Sequence, residues 1–99
     1  MKLDYTEQAL VSLKEILEFI SLKVSHEKLI VIRDQILNKA DTLLKQPLIG
    51  QKESFLEHLG LGHRRLVEGH CKIIYRIEGE YIYITDIFDP RQDPDKMKG

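Results

Sequence analysis

The sequence predicts an α+β domain in which a helical hairpin packs on a mostly antiparallel sheet, in the order β-α-α-β-β-β. Apolar residues recur at helical spacing from residue 9 to residue 43, whereas they alternate with polar residues from residue 71 onward. Glycines at 69 and 79 separate the alternating runs. A chain of 99 residues suffices for one core, so residues 1–99 are predicted to form a single domain with a polar tail at 89–99.

The first half of the chain predicts a short strand and two helices. Residues 1–5 alternate, with Leu3 and Tyr5 on one side, and Thr6 and Ser25 are typical helix N-caps. Pro47 and Gly50 stop the second helix, and the short link at 23–26 makes the two helices an antiparallel hairpin. The apolar stripes of the two helices are Ala9, Leu13, Ile16, Leu17 and Ile20, then Leu29, Ile32, Ile36, Ala40 and Leu43.

The second half of the chain predicts strands joined by tight turns. Residues 48–62 have no clear period; they predict a helical turn or an irregular strand covering the core through Phe55, Leu56, Leu59 and Leu61. Gly69-His70 and Gly79-Glu80 are typical of two-residue hairpin turns. The run 81–88 is apolar on both faces, which predicts a central or well-covered strand that ends at Asp89-Pro90. The tail after it is expected to be loose, or tied down only in a complex.

Composition restricts the class of protein. The start of the chain lacks the pattern of a signal peptide and no apolar run is long enough to cross a bilayer, so we expect a cytoplasmic protein without membrane contact. The single cysteine, Cys71, excludes an internal disulfide and is expected to be a buried small hydrophobe. A net charge of −1 argues against indiscriminate nucleic-acid binding. The sequence contains no metal-ligand spacing and no cofactor motif, so we expect the protein to use neither a metal nor a cofactor.

Cations are concentrated in the strand region, which predicts a surface for an anionic partner. Arg64 and Arg65 alternate in direction, so at most one of them faces such a site. Lys72 and Arg76 share a face, although edge-strand cations also serve only to prevent aggregation. Arg91 follows the last strand and has Asp89 and Asp93 as alternative partners. The full set that we expect to gather on one face is Arg64, Arg65, Lys72, Arg76 and Arg91.

Three stretches resemble one known family. They are LLKQPLIG at 43–50, RRLVEGHCKIIYRI at 64–77 and ITDIFDPRQDPDK at 84–96, and they occur in that family's usual order. The chain resembles the RelE/ParE superfamily, the toxins of bacterial type II toxin–antitoxin systems, and is closer to the ParE-like members. The resemblance implies the fold predicted above, growth inhibition, a role in plasmid stabilisation, and neutralisation by a cognate antitoxin. It also implies a toxin–antitoxin hetero-oligomer, with a homodimer as the alternative.

Two mechanisms are open within that superfamily. RelE-like members cleave messenger RNA on the ribosome, and under that mechanism the catalytic cations here are Arg64, Arg65, Lys72 and Arg91. ParE-like members poison DNA gyrase, and under that mechanism the target-binding residues are Arg64, Lys72, Arg76 and Arg91. The residues after Arg91 include no acid–base group suited to neutral pH, which favours the ParE-like mechanism. An inactive relative that only binds antitoxin is a third alternative.

Remaining residues have alternative interpretations. His63 and His70 are either proton-transfer groups or exposed turn histidines, and His58 is expected to be structural. Tyr75 is predicted to be in the core, whereas Tyr81 and Tyr83 could stack on bases. Four apolar residues lie off the main helical stripes and are either the antitoxin-binding surface or part of a thicker core: Leu10, Leu17, Ile30 and Leu37.

Overall fold

A computed structural model describes all residues from 1 to 99 and confirms the predicted α+β fold. Two helices cover one face of a five-stranded sheet of order β1-β5-β4-β3-β2, in which only the β1–β5 pair is parallel. Neither helix is long and apolar enough to span a bilayer. The elements are β1 (Lys2–Tyr5), α1 (Glu7–Ser21), α2 (His26–Asp41), β2 (Gln51–Lys52), β3 (Arg64–Glu68), β4 (Cys71–Glu78) and β5 (Tyr81–Phe88).

Both predicted helix caps are confirmed. The Thr6 hydroxyl accepts a hydrogen bond from the Ala9 amide at 3.1 Å, and the Ser25 hydroxyl accepts one from the Lys28 amide at 3.1 Å. Each bond satisfies an amide that the first turn of a helix leaves without a backbone partner. The alternation of Leu3 and Tyr5 is also confirmed, since both pack against the main core from β1.

The sheet contains one strand that the sequence pattern does not predict. β2 has two residues, too few to show alternation, and it pairs with Arg64 and Arg65 of β3. A 3₁₀ turn, Ser54–Leu59, follows β2 in the same irregular segment, so a short strand and a helical turn both occur there. Of the four apolar residues expected to cover the core here, only Leu56 is buried, and the expectation is wrong for the exposed Phe55, Leu59 and Leu61.

The main core lies between the helices and the sheet, and Tyr75 is completely buried in it. Its hydroxyl donates a hydrogen bond to the Pro47 carbonyl at 2.7 Å and accepts one from the Gly50 amide at 3.0 Å. A buried hydroxyl needs such partners, because an unpaired polar group inside a core is costly. The Tyr75 side chain on β4 therefore anchors the loop that follows α2.

The C-terminal tail is polar and mostly exposed, but its end is anchored to the sheet, whereas the sequence predicted a loose segment. Met97 is 6% exposed and completes a second small core on the other face of the sheet with Leu56, Ile74 and Phe88. The Asp86 carboxylate accepts a hydrogen bond from the Lys98 amide at 2.9 Å, and the Thr85 hydroxyl donates to the Lys98 carbonyl at 3.1 Å. One apolar side chain and two backbone bonds thus hold the polar segment in place.

A register shift in β5 shapes the end of the sheet next to α1. Ile84 pairs with Tyr75 whereas Asp86 pairs with Ile74, so Thr85 is an extra residue in β5. β1 ends opposite Ile84, and residues 85–88 therefore have no strand neighbour on that side. This open half-edge of β5 borders a groove of about 950 Å³ that is also lined by residues of α1 and α2.

Candidate functional site

The predicted cations do not form one cluster, and that expectation is wrong. Arg65, Lys72 and Arg76 lie on the face of the sheet turned away from the helices, here called the outer face. Arg64 lies on the helix side, because it is directly opposite the buried Tyr75. Arg91 lies beyond the end of β5, where Pro90 interrupts the strand. As predicted, only one of the two adjacent arginines faces the outer surface.

A buried carboxylate that sequence reasoning missed forms ion pairs with two outer-face cations. Glu53 is 2% exposed, and its carboxylate lies 3.1 Å from Lys72 Nζ and 3.6 Å from Arg65 Nη1. The Glu53 amide also donates to the His63 carbonyl at 2.9 Å, which fixes the residue in place. Glu53 belongs to the segment without a clear period, so no pattern placed it on this face. The carboxylate occupies the position that an anionic ligand of these cations would need.

The third outer-face cation, Arg76, is part of an aromatic platform. Its guanidinium lies 4.9 Å from the centre of the Tyr83 ring and is 2.6 Å from the Glu78 carboxylate. Tyr81 and Tyr83 stack with ring centres 5.5 Å apart and an interplanar angle of 11°. Both tyrosines lie on the outer face, since they pair across strands with Glu78 and Arg76. Base stacking on this platform remains a prediction.

The two remaining arginines have local partners. Arg64 Nη1 donates to the Gly50 carbonyl at 2.7 Å, so this residue fastens the loop after α2 to β3. Arg91 is more exposed, and its guanidinium lies 2.5 Å from the Asp89 carboxylate. The Arg91 hydrogen bond holds the pKa of Asp89 below its ordinary value. Their roles in catalysis or target binding stay predictions.

His63 is buried, contrary to the expectation of a proton-transfer group or an exposed turn histidine. It is 3% exposed, and neither ring nitrogen makes a hydrogen bond of good geometry. Burial lowers the pKa of His63, the Arg76 charge lowers it further, and the adjacent Gly99 backbone partly opposes the shift. His70 is exposed in the β3–β4 turn, as predicted. The imidazole of His63 is thus covered, which is unsuited to shuttling protons for a bound substrate.

The lowered pKa of His63 predicts an acid-sensitive fold. Because the unfolded imidazole, with a pKa of about 6.5, binds protons more readily, stability is complete above that pH and is lost as pH falls toward the folded value. Urea unfolding at successive pH values should show this loss in the wild type and a smaller one in His63→Phe. His70→Gln is the control and should keep the wild-type dependence. An unchanged pH profile in His63→Phe would contradict the assignment.

Other chemistry-bearing groups provide no further centre. Cys71 is buried, as predicted, and burial raises the pKa of its thiol, which therefore stays protonated. No three or more His, Cys, Asp and Glu side chains are arranged to hold a metal ion. What the outer face offers is a set of cations paired with carboxylates, next to an aromatic platform.

The predicted antitoxin-binding residues divide between two settings. Leu10 is 51% exposed and shares a shallow apolar groove of about 350 Å³ on α1 with Leu17 and with Leu29 of α2. Leu17 and Leu37 are partly buried against the main core, and Ile30 is half-buried. The structure therefore combines the two predicted alternatives, since Leu10 remains available while Leu37 thickens the core. Antitoxin binding by these residues stays a prediction.

Comparisons with known proteins agree with this fold. Residues 3–94 match the family model described as ParE toxin of type II toxin–antitoxin system, parDE. A solved structure titled "Chromosomal ParDE TA system from P. aeruginosa" superimposes with a TM-score of 0.72 at 21% identity, covering 88% of this chain and 92% of that chain. A search of curated proteins found no match. Because the family model covers nearly the whole chain, this protein belongs to the ParE toxin family of type II toxin–antitoxin systems.

Proposed function

We propose that this toxin inhibits growth by binding and poisoning DNA gyrase in the bacterial cytoplasm, and that a cognate antitoxin neutralises it. The observation that carries the proposal is that the outer-face cations form ion pairs with carboxylates of the same chain. Lys72 and Arg65 share the buried Glu53 carboxylate, and Arg76 pairs with Glu78. These contacts support a protein-binding surface better than a catalytic centre.

The alternative function, cleavage of messenger RNA, requires chemical groups in an arrangement that the outer face does not match well. Attack by a ribose 2′-hydroxyl requires a base, cations around the charged phosphorane and an acid for the leaving oxygen. Glu53 already engages two of the cations, and the neighbouring histidine, His63, is buried. A phosphate entering this face would have to displace a buried carboxylate from its partners, which is energetically expensive.

Target binding has one clear candidate contact among the predicted arginines. The Arg91 side chain is 61% exposed, whereas Arg64 is used inside the fold to hold the Gly50 carbonyl. Asp89 keeps the Arg91 guanidinium in a fixed position, which reduces the entropy lost when a partner binds. Arg91 and the Arg76–tyrosine platform are therefore the residues that we propose to contact gyrase.

The proposal is tested by inducing the chain without an antitoxin and following DNA supercoiling and message integrity together. We expect gyrase-cleaved DNA to accumulate while messages stay intact. Arg91→Ala should weaken growth inhibition about tenfold or more, as for a binding contact made by a charged group. Lys14→Ala is the control, because Lys14 is exposed and makes only a weak surface ion pair with Glu18 at 3.9 Å.

Other results of the induction experiment would support one of the alternative functions. Degraded messages without gyrase-cleaved DNA would establish the RelE-like endonuclease and reject the gyrase proposal. A chain that causes no growth defect would be an inactive relative that retains only antitoxin binding. Full growth inhibition by Arg91→Ala would remove Arg91 from the target-binding surface but leave the choice of target to the two assays.

A further inference from the structure

The two stacked tyrosines at the start of β5 differ in whether a cation lies against the ring. The Arg76 guanidinium is 4.9 Å from the centre of the Tyr83 ring, whereas no cation of the chain lies against Tyr81. Tyr81 is 39% exposed although its ring stacks on that of Tyr83. An aromatic face attracts a cation through its quadrupole. Tyr81 therefore offers an unoccupied, solvent-accessible ring next to one that is already occupied.

The next position of the stack contains no side chain. Alternate residues of a strand share a face, and the residue two positions before Tyr81 is Gly79. A Cβ at Gly79 would meet no other atom within 4 Å, so this side of the turn is open to solvent. The φ of Gly79 is +58°, a left-handed conformation in which a side chain is disfavoured. The tight turn therefore puts nothing of its own beyond the Tyr81 ring.

The charges around these rings favour a cationic ligand over a nucleic acid. Three exposed carboxylates and two cations are their neighbours along or across the strands: Asp4, Glu78, Glu80, Lys2 and Arg76. Glu78 pairs with Arg76 at 2.6 Å, so the charges left over are those of Asp4, Glu80 and Lys2. A strand of nucleic acid stacked here would bring its phosphates toward an excess of carboxylates, which opposes binding. A cation would meet the opposite charge.

We propose that Tyr81 and the carboxylates beside it bind an arginine side chain of the toxin's target protein. The inference rests on the proposed function, in which this platform contacts gyrase, and it names the chemical group that the platform recognises. A guanidinium is planar, so it can stack on a ring and donate to a carboxylate at the same time, whereas a lysine ammonium is a point charge. The chain uses the same combination itself, since Arg76 contacts both Tyr83 and Glu78.

The first experiment uses a probe that does not depend on the identity of the target. N-acetyl-arginine amide is titrated into the purified chain to about 100 mM, because one exposed cation–π contact and one exposed ion pair bind weakly. We expect a saturable NMR shift of the Tyr81 ring, a smaller one with N-acetyl-lysine amide, and none with N-acetyl-glutamine amide at equal ionic strength. Glu80→Gln should weaken the binding about threefold.

Glu15→Gln is the matched control for this titration. Glu15 is also an exposed carboxylate, but it lies on α1, and the helices cover the other face of the sheet. The variant should therefore bind the arginine amide as the wild type does. An arginine amide that left the Tyr81 ring unshifted, or a glutamine amide that shifted it equally, would overturn the inference.

The second experiment measures binding of purified gyrase to variants of Tyr81. Tyr81→Leu removes the ring and should weaken binding at least fivefold, whereas Tyr81→Phe keeps the ring and should retain most of the affinity. Circular dichroism confirms that each variant folds. Unchanged affinity in Tyr81→Leu would overturn the inference, and so would a loss of affinity for a single-stranded oligonucleotide in that variant, which would establish base stacking instead. No binding of gyrase by the wild type would contradict the proposed function, and the arginine probe would then decide the inference.

Discussion

Replacing Gly50 with alanine is expected to lower the free energy of unfolding by about 2–4 kcal/mol. A Cβ at this position would lie 2.6 Å from the Tyr75 hydroxyl oxygen and 2.7 Å from the Arg65 carbonyl oxygen. Neither atom can move easily, because the tyrosine is fully buried and the carbonyl belongs to a paired strand. Urea unfolding should detect the change, and the melting temperature should fall by about 10–20 °C.

Two further variants separate the clash from the lost hydrogen bond. Tyr75→Phe removes the hydroxyl that contacts the Gly50 amide and the Pro47 carbonyl, and it should cost about 1–2 kcal/mol. The double variant Gly50→Ala, Tyr75→Phe should lose less than the sum of the two single changes, because one of the close contacts is gone. Strict additivity would mean that the two residues do not interact as the structure places them.

Replacing Glu53 with glutamine is expected to destabilise the fold by about 1–3 kcal/mol and to increase binding of anions to the outer face. The substitution keeps the shape of the side chain but leaves Lys72 and Arg65 without a counter-charge. Because those two cations are partly exposed, solvent screening keeps the loss below that of a fully buried pair. Chemical denaturation measures the first effect, and binding of a short single-stranded oligonucleotide at low salt measures the second.

The matched control for this change is Glu78→Gln. Glu78 also pairs with an outer-face cation, Arg76, but its side chain is 67% exposed, so the change should alter stability by less than about 0.5 kcal/mol. If Glu53→Gln gained no affinity for the oligonucleotide, the carboxylate would not be what prevents anions from binding. If Glu53→Gln cleaved messages, the endonuclease alternative would regain its support.

Much of the fold follows from local patterns. The caps at Thr6 and Ser25, the helical stripes and the glycine turns each act over a few residues, so their physical effects are visible in the sequence alone. The interior position of β5, between β1 and β4, also follows from its apolar faces, since a strand that is apolar on both faces needs a cover on both. The two-residue β2 lies below the length at which alternation can be detected.

The site depended on contacts between distant parts of the chain. The Glu53 carboxylate contacts Lys72, which lies 19 positions later in the chain, and the Asp86 carboxylate contacts the Lys98 amide, which lies 12 positions later. A carboxylate in an irregular segment has no period that would indicate its partner. The sequence also predicted that the cations share one face. They lie on different surfaces, because side chains alternate along a strand and the chain turns at Pro90.

The sequence by itself determined the class of fold, the helix starts after Thr6 and Ser25, the core identity of Tyr75 and Cys71, and the resemblance to the ParE toxins, because these depend on short-range spacing and on ordered motifs. It did not determine the end of α2, which lies at Asp41 and not next to Pro47. Only the tertiary structure decided that the outer-face cations are paired with carboxylates, that His63 is covered, that the tail is anchored through Met97, and that the Asp86 carboxylate accepts the Lys98 amide. Charge pairing and burial depend on which distant segments are in contact, and these contacts cannot be read from the spacing of residues along the chain.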